Sequence, residues 1–116
     1  MTNEKVYAME FGKVYPLLVQ KALRKGRTKD EVDTVTCWLT GYTPDQLDAL
    51  AEKPTTYRAF FEGAPALNPN RELVTGTVCG VRVEEVAEPL MREIRRLDKL
   101  VDELAKGKPL EKVLRG

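Results

Sequence analysis

Apolar residues recur at alternating steps of four and three along the stretch from Pro89 to Lys106. That spacing keeps them on one side of an α-helix: Leu90, Ile94, Leu97, Val101 and Leu104. Pro89 suits a first helical position, and Gly107 suits the position just past a helix end. The pattern therefore predicts a helix over 89–106. Because no other segment has so long an apolar stripe, we expect the remaining elements to pack on this helix.

The N-terminal half of the chain contains two sequence patterns typical of capping boxes. Thr28 stands three residues before Glu31, and Thr43 stands three residues before Gln46. In this arrangement each threonine hydroxyl accepts a backbone N–H, while the Glu or Gln side chain reaches back to the threonine N–H. Together with Gly41 and the breaker at Pro54, these signals predict helices over 28–40 and 44–53.

The segment before them is helical in pattern from Phe11 to Lys25, but it contains Pro16. A proline inside a helix removes one backbone hydrogen bond. The sequence therefore allows two interpretations. Either a turn at 11–15 precedes a main helix that starts at Pro16, or one helix is kinked there. Residues 5–9 are too short to assign.

Residues 68–83 carry conflicting signals. Asn68 and Pro69 form a cap followed by a first-turn proline, which favours a helix to about Cys79. The valine and threonine content of 72–83, together with Gly76, favours extended chain. We favour the helix over 72–79 and expect an extended segment at 81–83.

Short helices over 56–62 and 109–114 complete the predicted order. The fold class is all-α (mainly α), a compact multi-helical bundle with a long C-terminal helix and room for one short extended pair. We expect one domain over residues 1–116, because the chain shows neither an internal repeat nor a linker long enough to separate two domains.

Composition narrows the classes of function. The chain has 116 residues, 42% hydrophobic and 32% charged, with a formal net charge of +1. That charge provides no bulk attraction to nucleic acid or to an anionic membrane. The sequence shows neither a signal peptide nor an apolar run of membrane-spanning length. Cys37 and Cys79 form no C-x-x-C pair, so we expect two free thiols in a cytoplasmic protein.

The chain contains neither histidine nor serine. It therefore lacks the commonest general base and metal ligand and cannot form a Ser-His-Asp triad. Two separated thiols with carboxylates are a poor zinc set, and Glu84, Glu85 and Glu88 are interpreted as partners of a helix dipole. Cys37 lies near acidic residues, which should raise its thiol pKa and lower its reactivity. We expect no enzymatic activity, no catalytic residue, no metal and no cofactor.

Residues 28–53 resemble a helix-turn-helix in spacing, since two capped helices are joined by a short turn. A basic cluster flanks the first of them, and its members are candidates for anion or nucleic-acid contact: Arg24, Lys25, Arg27 and Lys29. The second helix, however, exposes Asp45, Asp48 and Glu52 where a reading helix needs donors and cations. We therefore expect no sequence-specific binding of nucleic acid.

Several longer runs of the sequence are familiar when taken together. They are Val14-Tyr15-Pro16, Lys25-Gly26-Arg27-Thr28-Lys29, Glu31-Val32-Asp33, Trp38-Leu39-Thr40-Gly41-Tyr42, Leu67-Asn68-Pro69-Asn70-Arg71, Cys79-Gly80-Val81-Arg82-Val83-Glu84, Pro89-Leu90-Met91, Leu97-Asp98-Lys99-Leu100 and the run from Asp102 to Lys108. In these runs the chain resembles a family of small bacterial proteins catalogued as a domain of unknown function, number 2200. The resemblance implies a bacterial, soluble, single-domain protein and transfers no catalytic residues.

The preferred function is therefore a non-enzymatic binding or protein-interaction module with an unknown protein or small-ligand partner and no membrane contact. The alternative is a small nucleic-acid-binding protein that uses the helix-turn-helix-like pair at 28–53 and the basic cluster. A monomer is favoured over a homodimer, because the long apolar row covers little more than two heptads and its stripe is too wide for a two-stranded seam.

Overall fold

The structure, a computed structural model, describes residues 3–115. Its helices are α1 (Glu4–Tyr7), α2 (Phe11–Leu23), α3 (Lys29–Thr40), α4 (Pro44–Glu52), α5 (Tyr57–Glu62), α6 (Pro89–Ala105) and α7 (Leu110–Val113). Two short strands, β1 (Thr77–Val78) and β2 (Val81–Arg82), pair antiparallel between α5 and α6. The fold is mainly α, as predicted, with one short extended pair.

The long helix α6 lies at the centre of the core. Leu97, Leu100, Val101 and Leu104 on its apolar stripe have no solvent exposure. Helices α2, α3, α5 and α7 all contact α6. The side chains of Phe11 and Phe60 add a stacked pair with ring centroids 4.0 Å apart. The prediction that other elements pack on this helix is confirmed for these four helices, whereas α4 packs mainly on α2 and α3, and α1 on α5.

Both predicted capping boxes are present. The Thr28 hydroxyl accepts from the Glu31 N–H at 3.2 Å, and the Thr43 hydroxyl accepts from the Gln46 N–H at 3.2 Å. In each box the side chain of the later residue accepts the threonine N–H in return. Such short-range signals depend only on neighbours in the sequence, which is why they fix the starts of α3 and α4 so well.

Helix α2 runs without interruption from Phe11 to Leu23 and includes Pro16. The alternative of a separate turn at 11–15 is therefore wrong. Phe11 and Tyr15 are buried in the core, while Pro16 lies on the exposed side. Burial of those two aromatic side chains holds the first turn helical and offsets the hydrogen bond that Pro16 cannot make.

The helix favoured over residues 72–79 is wrong, and the extended alternative is correct. Of residues 68–79, only Pro69–Leu73 are helical, as a 3₁₀ segment capped by Asn68. A hairpin follows, in which Thr77 pairs with Arg82 and Val78 with Val81. Its two-residue turn has φ of 52° at Cys79 and 76° at Gly80. Positive φ at both turn residues matches the right-handed twist of a tight hairpin and cannot occur in an α-helix.

A loop after α5 closes the C-terminal end of α3. The backbone N–H of Ala66 donates to the Thr40 carbonyl, and that of Asn68 donates to the Leu39 carbonyl, each at 3.0 Å. These bonds satisfy carbonyls that the end of a helix leaves without partners. The loop is thereby held in place from one side.

Among the helices of residues 3–115, none combines the length and apolar composition needed to cross a membrane.

Candidate functional site

A surface groove lies between α5, the loop after it and the N-terminal turn of α6. Its volume is about 340 Å³, and its lining is mostly apolar. The lining residues are Phe61, Glu62, Leu67, Arg71, Pro89, Leu90 and Glu93. This volume is at the lower end of the range found for ligand pockets. The groove opens to solvent on one side, so a bound group would be covered only in part.

Local sequence signals position the walls of the groove. The Thr56 hydroxyl accepts from the Ala59 N–H at 3.1 Å and starts α5, which carries Phe61. The loop that carries Leu67 is held by its two hydrogen bonds to the end of α3. Pro89 opens α6 at its first turn. The groove therefore forms where three separately anchored segments meet.

Leu67 differs from the other apolar residues around it. Phe61 is buried, and Leu90 packs against the core from a half-buried position. Leu67 is also half-buried, but it is not part of the core cluster or of the apolar residues packed against it. Its apolar surface consequently contributes to the groove rather than to the interior.

A charged cluster borders the apolar lining. Glu93 accepts from Arg71 Nε at 2.8 Å and from Arg96 Nη1 at 2.9 Å. Arg71 Nη1 also donates to the Asn68 carbonyl at 3.0 Å. The Arg96 side chain is only 7% exposed, and its second carboxylate neighbour, Glu72, is 3.8 Å away and 73% exposed. The largely buried carboxylate of Glu93 thus accepts hydrogen bonds from two guanidinium groups.

The structure divides the basic cluster predicted from the sequence. Arg27 is paired with Glu31 at 2.6 Å, and Lys29 is paired with Asp33 at 2.8 Å. Arg24 and Lys25 are exposed at the end of α2, and neither forms an ion pair within residues 3–115. Two of the four candidates therefore serve the fold, and the other two are free cations on the surface.

Arg27 joins distant parts of the chain. Its Nη1 donates to the Leu104 carbonyl at 3.1 Å and to the Lys108 carbonyl at 2.7 Å, at the C-terminal end of α6. Its hydrogen bonds to Glu31 lower the pKa of that carboxyl below its ordinary value. A guanidinium is well suited to this position because it carries a fixed charge and several donors. These contacts stabilise the end of α6.

The helix-turn-helix-like pair presents an acidic surface. On α4, Asp45, Asp48 and Glu52 are exposed. Lys29, on the adjacent helix, lies 3.3 Å from Asp48 and is half-exposed. Carboxylates at these positions would repel phosphates rather than neutralise them. Helices α3 and α4 form where the sequence predicted them, and the exposed surface of α4 described above is acidic.

A buried polar network lies between α2 and α3. The Tyr15 hydroxyl donates to Asp33 at 2.6 Å, and Lys29 donates to the second oxygen of Asp33 at 2.8 Å. Burial, followed by the bond to Asp33, raises the pKa of Tyr15 far above its ordinary value. Burial also raises the pKa of the Cys37 thiol, and Asp33 adds to that effect. Both groups are held neutral at physiological pH, which suits a structural network more than nucleophilic chemistry.

The acidic residues near the start of α6 have separate partners. Glu84 accepts the Gly76 N–H at 2.9 Å and steadies the hairpin. Glu88 accepts from the Tyr7 hydroxyl at 3.1 Å and joins α1 to α6. Within residues 3–115, no three or more His, Cys, Asp or Glu side chains converge in a way that could hold a metal ion.

Sequence reasoning did not identify the groove. Arg71 and Glu93 are 22 positions apart, and the apolar wall comes from short segments with no periodic pattern of their own. The one usable signal was the position of Leu67, an apolar residue in a loop just before the Asn68 cap.

Comparison with known proteins gives two matches. The family described as "Uncharacterized protein conserved in bacteria (DUF2200)" matches residues 5–115. A crystal structure of a protein described as "uncharacterized protein SP1917" is 50% identical in sequence, with a TM-score of 0.92. The alignment covers 98% of this chain and 93% of that one. No curated protein is significantly similar to the chain.

Proposed function

Since the chain belongs to the DUF2200 family of proteins conserved in bacteria, whose description carries no activity, we propose a function from its surface. We propose that it is a non-enzymatic interaction module. The groove between α5 and α6 holds an apolar portion of a partner polypeptide. The observation that carries this proposal is the half-buried Leu67, which is fixed in a groove wall without belonging to the core.

The way the groove is built supports a binding role. Leu67 lies on a loop that is anchored to α3 by two backbone hydrogen bonds. A wall that is rigid before the partner arrives loses little conformational entropy on binding. Removing its apolar surface from water is favourable by about 25 cal/mol per Å². The groove therefore favours an apolar partner group and needs little rearrangement to accept it.

The open side of the groove favours a polypeptide over a small molecule. Typical small-molecule sites bury most of the ligand surface. This groove leaves one side in solvent, and the remainder of a partner chain would cover that side. Support for a non-enzymatic role comes from the absence of histidine and serine and from the neutral, hydrogen-bonded state of Tyr15 beside Asp33.

The proposal is tested by NMR titration of the ¹⁵N-labelled chain with the peptide N-acetyl-Ala-Ala-Leu-Leu. We expect the largest amide shifts at the groove, in α5, in the loop carrying Leu67 and in the first turn of α6. Leu67→Glu should abolish these shifts. Leu17→Glu is the matched control, since Leu17 is 65% exposed on α2 and lies outside the groove.

Two results would overturn the proposal. One is a set of shifts scattered over the surface with no maximum at the groove. The other is an equal loss of binding in Leu67→Glu and Leu17→Glu, which would trace the effect to added charge alone. Thermal melts of both variants show whether each remains folded.

A further inference from the structure

Arg71 is one of the residues that line the groove, and one nitrogen of its guanidinium has no hydrogen-bond acceptor within residues 3–115. Its Nε donates to Glu93 and its Nη1 to the Asn68 carbonyl. Within residues 3–115, Nη2 has no hydrogen-bond partner, although Arg71 lines the groove and its side chain is 24% exposed. Two of the three nitrogens fix the orientation of the guanidinium, and the third has no acceptor among the described residues.

The buried charges beside the groove do not balance. Arg71, Arg96 and Glu93 are all largely buried, with side-chain exposures of 24%, 7% and 12%. They carry two positive charges and one negative. Glu62 also lines the groove, but it is 63% exposed and lies 3.6 Å from Arg58. Glu72 is 73% exposed, so both of these carboxylates are screened. The protected part of the cluster therefore complements an anion.

We propose that the partner group is the C-terminal residue of a polypeptide, apolar in its side chain, whose terminal carboxylate accepts from Arg71 Nη2. This inference rests on the proposed function and specifies its ligand. A chain terminus carries an apolar side chain and a carboxylate on the same residue, which matches the adjacent apolar lining and free donor. Capture of a terminal carboxylate by backbone N–H groups is a recurring mode of peptide recognition, and here a side-chain donor would take that role. The preceding residues of the partner would cover the open side of the groove.

The first test compares two forms of one peptide on the unaltered chain. N-acetyl-Ala-Ala-Leu-Leu is titrated as the free acid and as the C-terminal amide, with NMR shifts as the measure of affinity. A hydrogen bond to a charged group contributes about 1.5–3 kcal/mol net. We therefore expect the acid to bind about tenfold more tightly, or more, than the amide.

The second test alters the donor. Arg71→Gln should reduce the preference for the acid to about one, because the charge and the free N–H edge are lost together. Glu93 retains its bond to Arg96 in this variant, so the fold should persist. Arg82→Gln is the matched control, since Arg82 is 63% exposed in the hairpin and should keep the full preference.

The outcomes separate this inference from the proposed function. Equal binding of acid and amide, both lost in Leu67→Glu, would refute the carboxylate contact and leave the apolar groove in place. No binding of either form would refute both. Decanoate is the third probe. If it produced the same shifts at equal or higher affinity than the peptide acid, the ligand would be a small apolar acid, and the assignment to a chain terminus would be wrong.

Discussion

Replacing Gly41 with alanine should destabilise the protein more than the same change at Gly26. Both glycines have the left-handed backbone conformation, with φ of 83° at Gly41 and 82° at Gly26. Their surroundings differ. A Cβ at Gly26 would have nothing within 4 Å, whereas a Cβ at Gly41 would lie 2.7 Å from the Ala66 nitrogen and 2.9 Å from its carbonyl oxygen. The pair therefore separates backbone strain from steric contact.

The expected magnitudes follow from these contacts. Left-handed backbone costs a non-glycine residue about 1–2 kcal/mol, and both variants should lose this amount. At Gly41 the colliding atoms belong to the backbone, so the loop carrying Ala66 must move. That movement disrupts the bonds from Ala66 and Asn68 to the end of α3, each contributing about 0.5–1.5 kcal/mol. We expect a total loss of about 2–5 kcal/mol for Gly41→Ala.

Urea unfolding followed by Trp38 fluorescence and circular dichroism measures both variants under the same conditions. The reasoning predicts that Gly41→Ala is less stable than Gly26→Ala by at least about 1 kcal/mol. Equal destabilisation of the two would show that the loop yields at no cost, and would refute the claim that α3 holds it in place. Gly41→Ala should also weaken peptide binding, because the displaced loop carries Leu67.

Four further predictions follow from individual contacts. Leu97→Ala, at a fully buried position, should cost about 2–5 kcal/mol in urea unfolding; a loss under about 1 kcal/mol would contradict its central place. Cys79→Asn should raise stability by a few tenths of a kcal/mol or more, because asparagine tolerates the positive φ of 52° at this turn position; lower stability would contradict the turn assignment. In the folded protein the pKa of the Glu31 carboxyl is lowered. Its contribution to stability is therefore present above the pKa of the unfolded state and is lost as the pH falls through the pKa of the folded state. Glu31→Gln should therefore flatten the acid side of the stability profile, and an unchanged profile would contradict the pairing with Arg27. At about 150 mM salt, no duplex DNA should bind a thousandfold more tightly than unrelated duplexes, which is a preference typical of sequence-specific DNA-binding proteins. Any weak binding should decrease as the salt concentration rises, and it should also decrease when Arg24 and Lys25 are changed together.

The elements that the sequence predicted well depend on short-range signals. The long helix was visible because its apolar residues repeat with the helical period, and Leu97 and its neighbours are indeed buried. The starts of α3 and α4 were visible because each capping box lies within four residues. The free state of Cys37 and Cys79 was also predicted and is confirmed.

The parts that were missed depend on tertiary contacts. The hairpin requires a positive φ at Cys79, and a cysteine gives no sign of that conformation, unlike Asn or Asp before glycine. Arg96 is buried at 6% exposure, where it pairs with Glu93, and no local pattern marks this arginine as a buried one. The groove could not be predicted from the sequence, because it too depends on tertiary contacts. Its walls come from segments that meet only after the chain has folded.

The contacts of Arg27 have a consequence for the kinetics of folding. Its bond to the Leu104 carbonyl links residues 77 positions apart, and closing so large a loop costs chain entropy before the contact can form. The bond should therefore form after the transition state, late in folding. A contact that is absent from the transition state leaves the folding rate nearly unchanged and slows unfolding. Arg27 would then lengthen the lifetime of the native state. Its replacement should raise the unfolding rate measured in a chevron plot and should leave the refolding rate nearly unchanged.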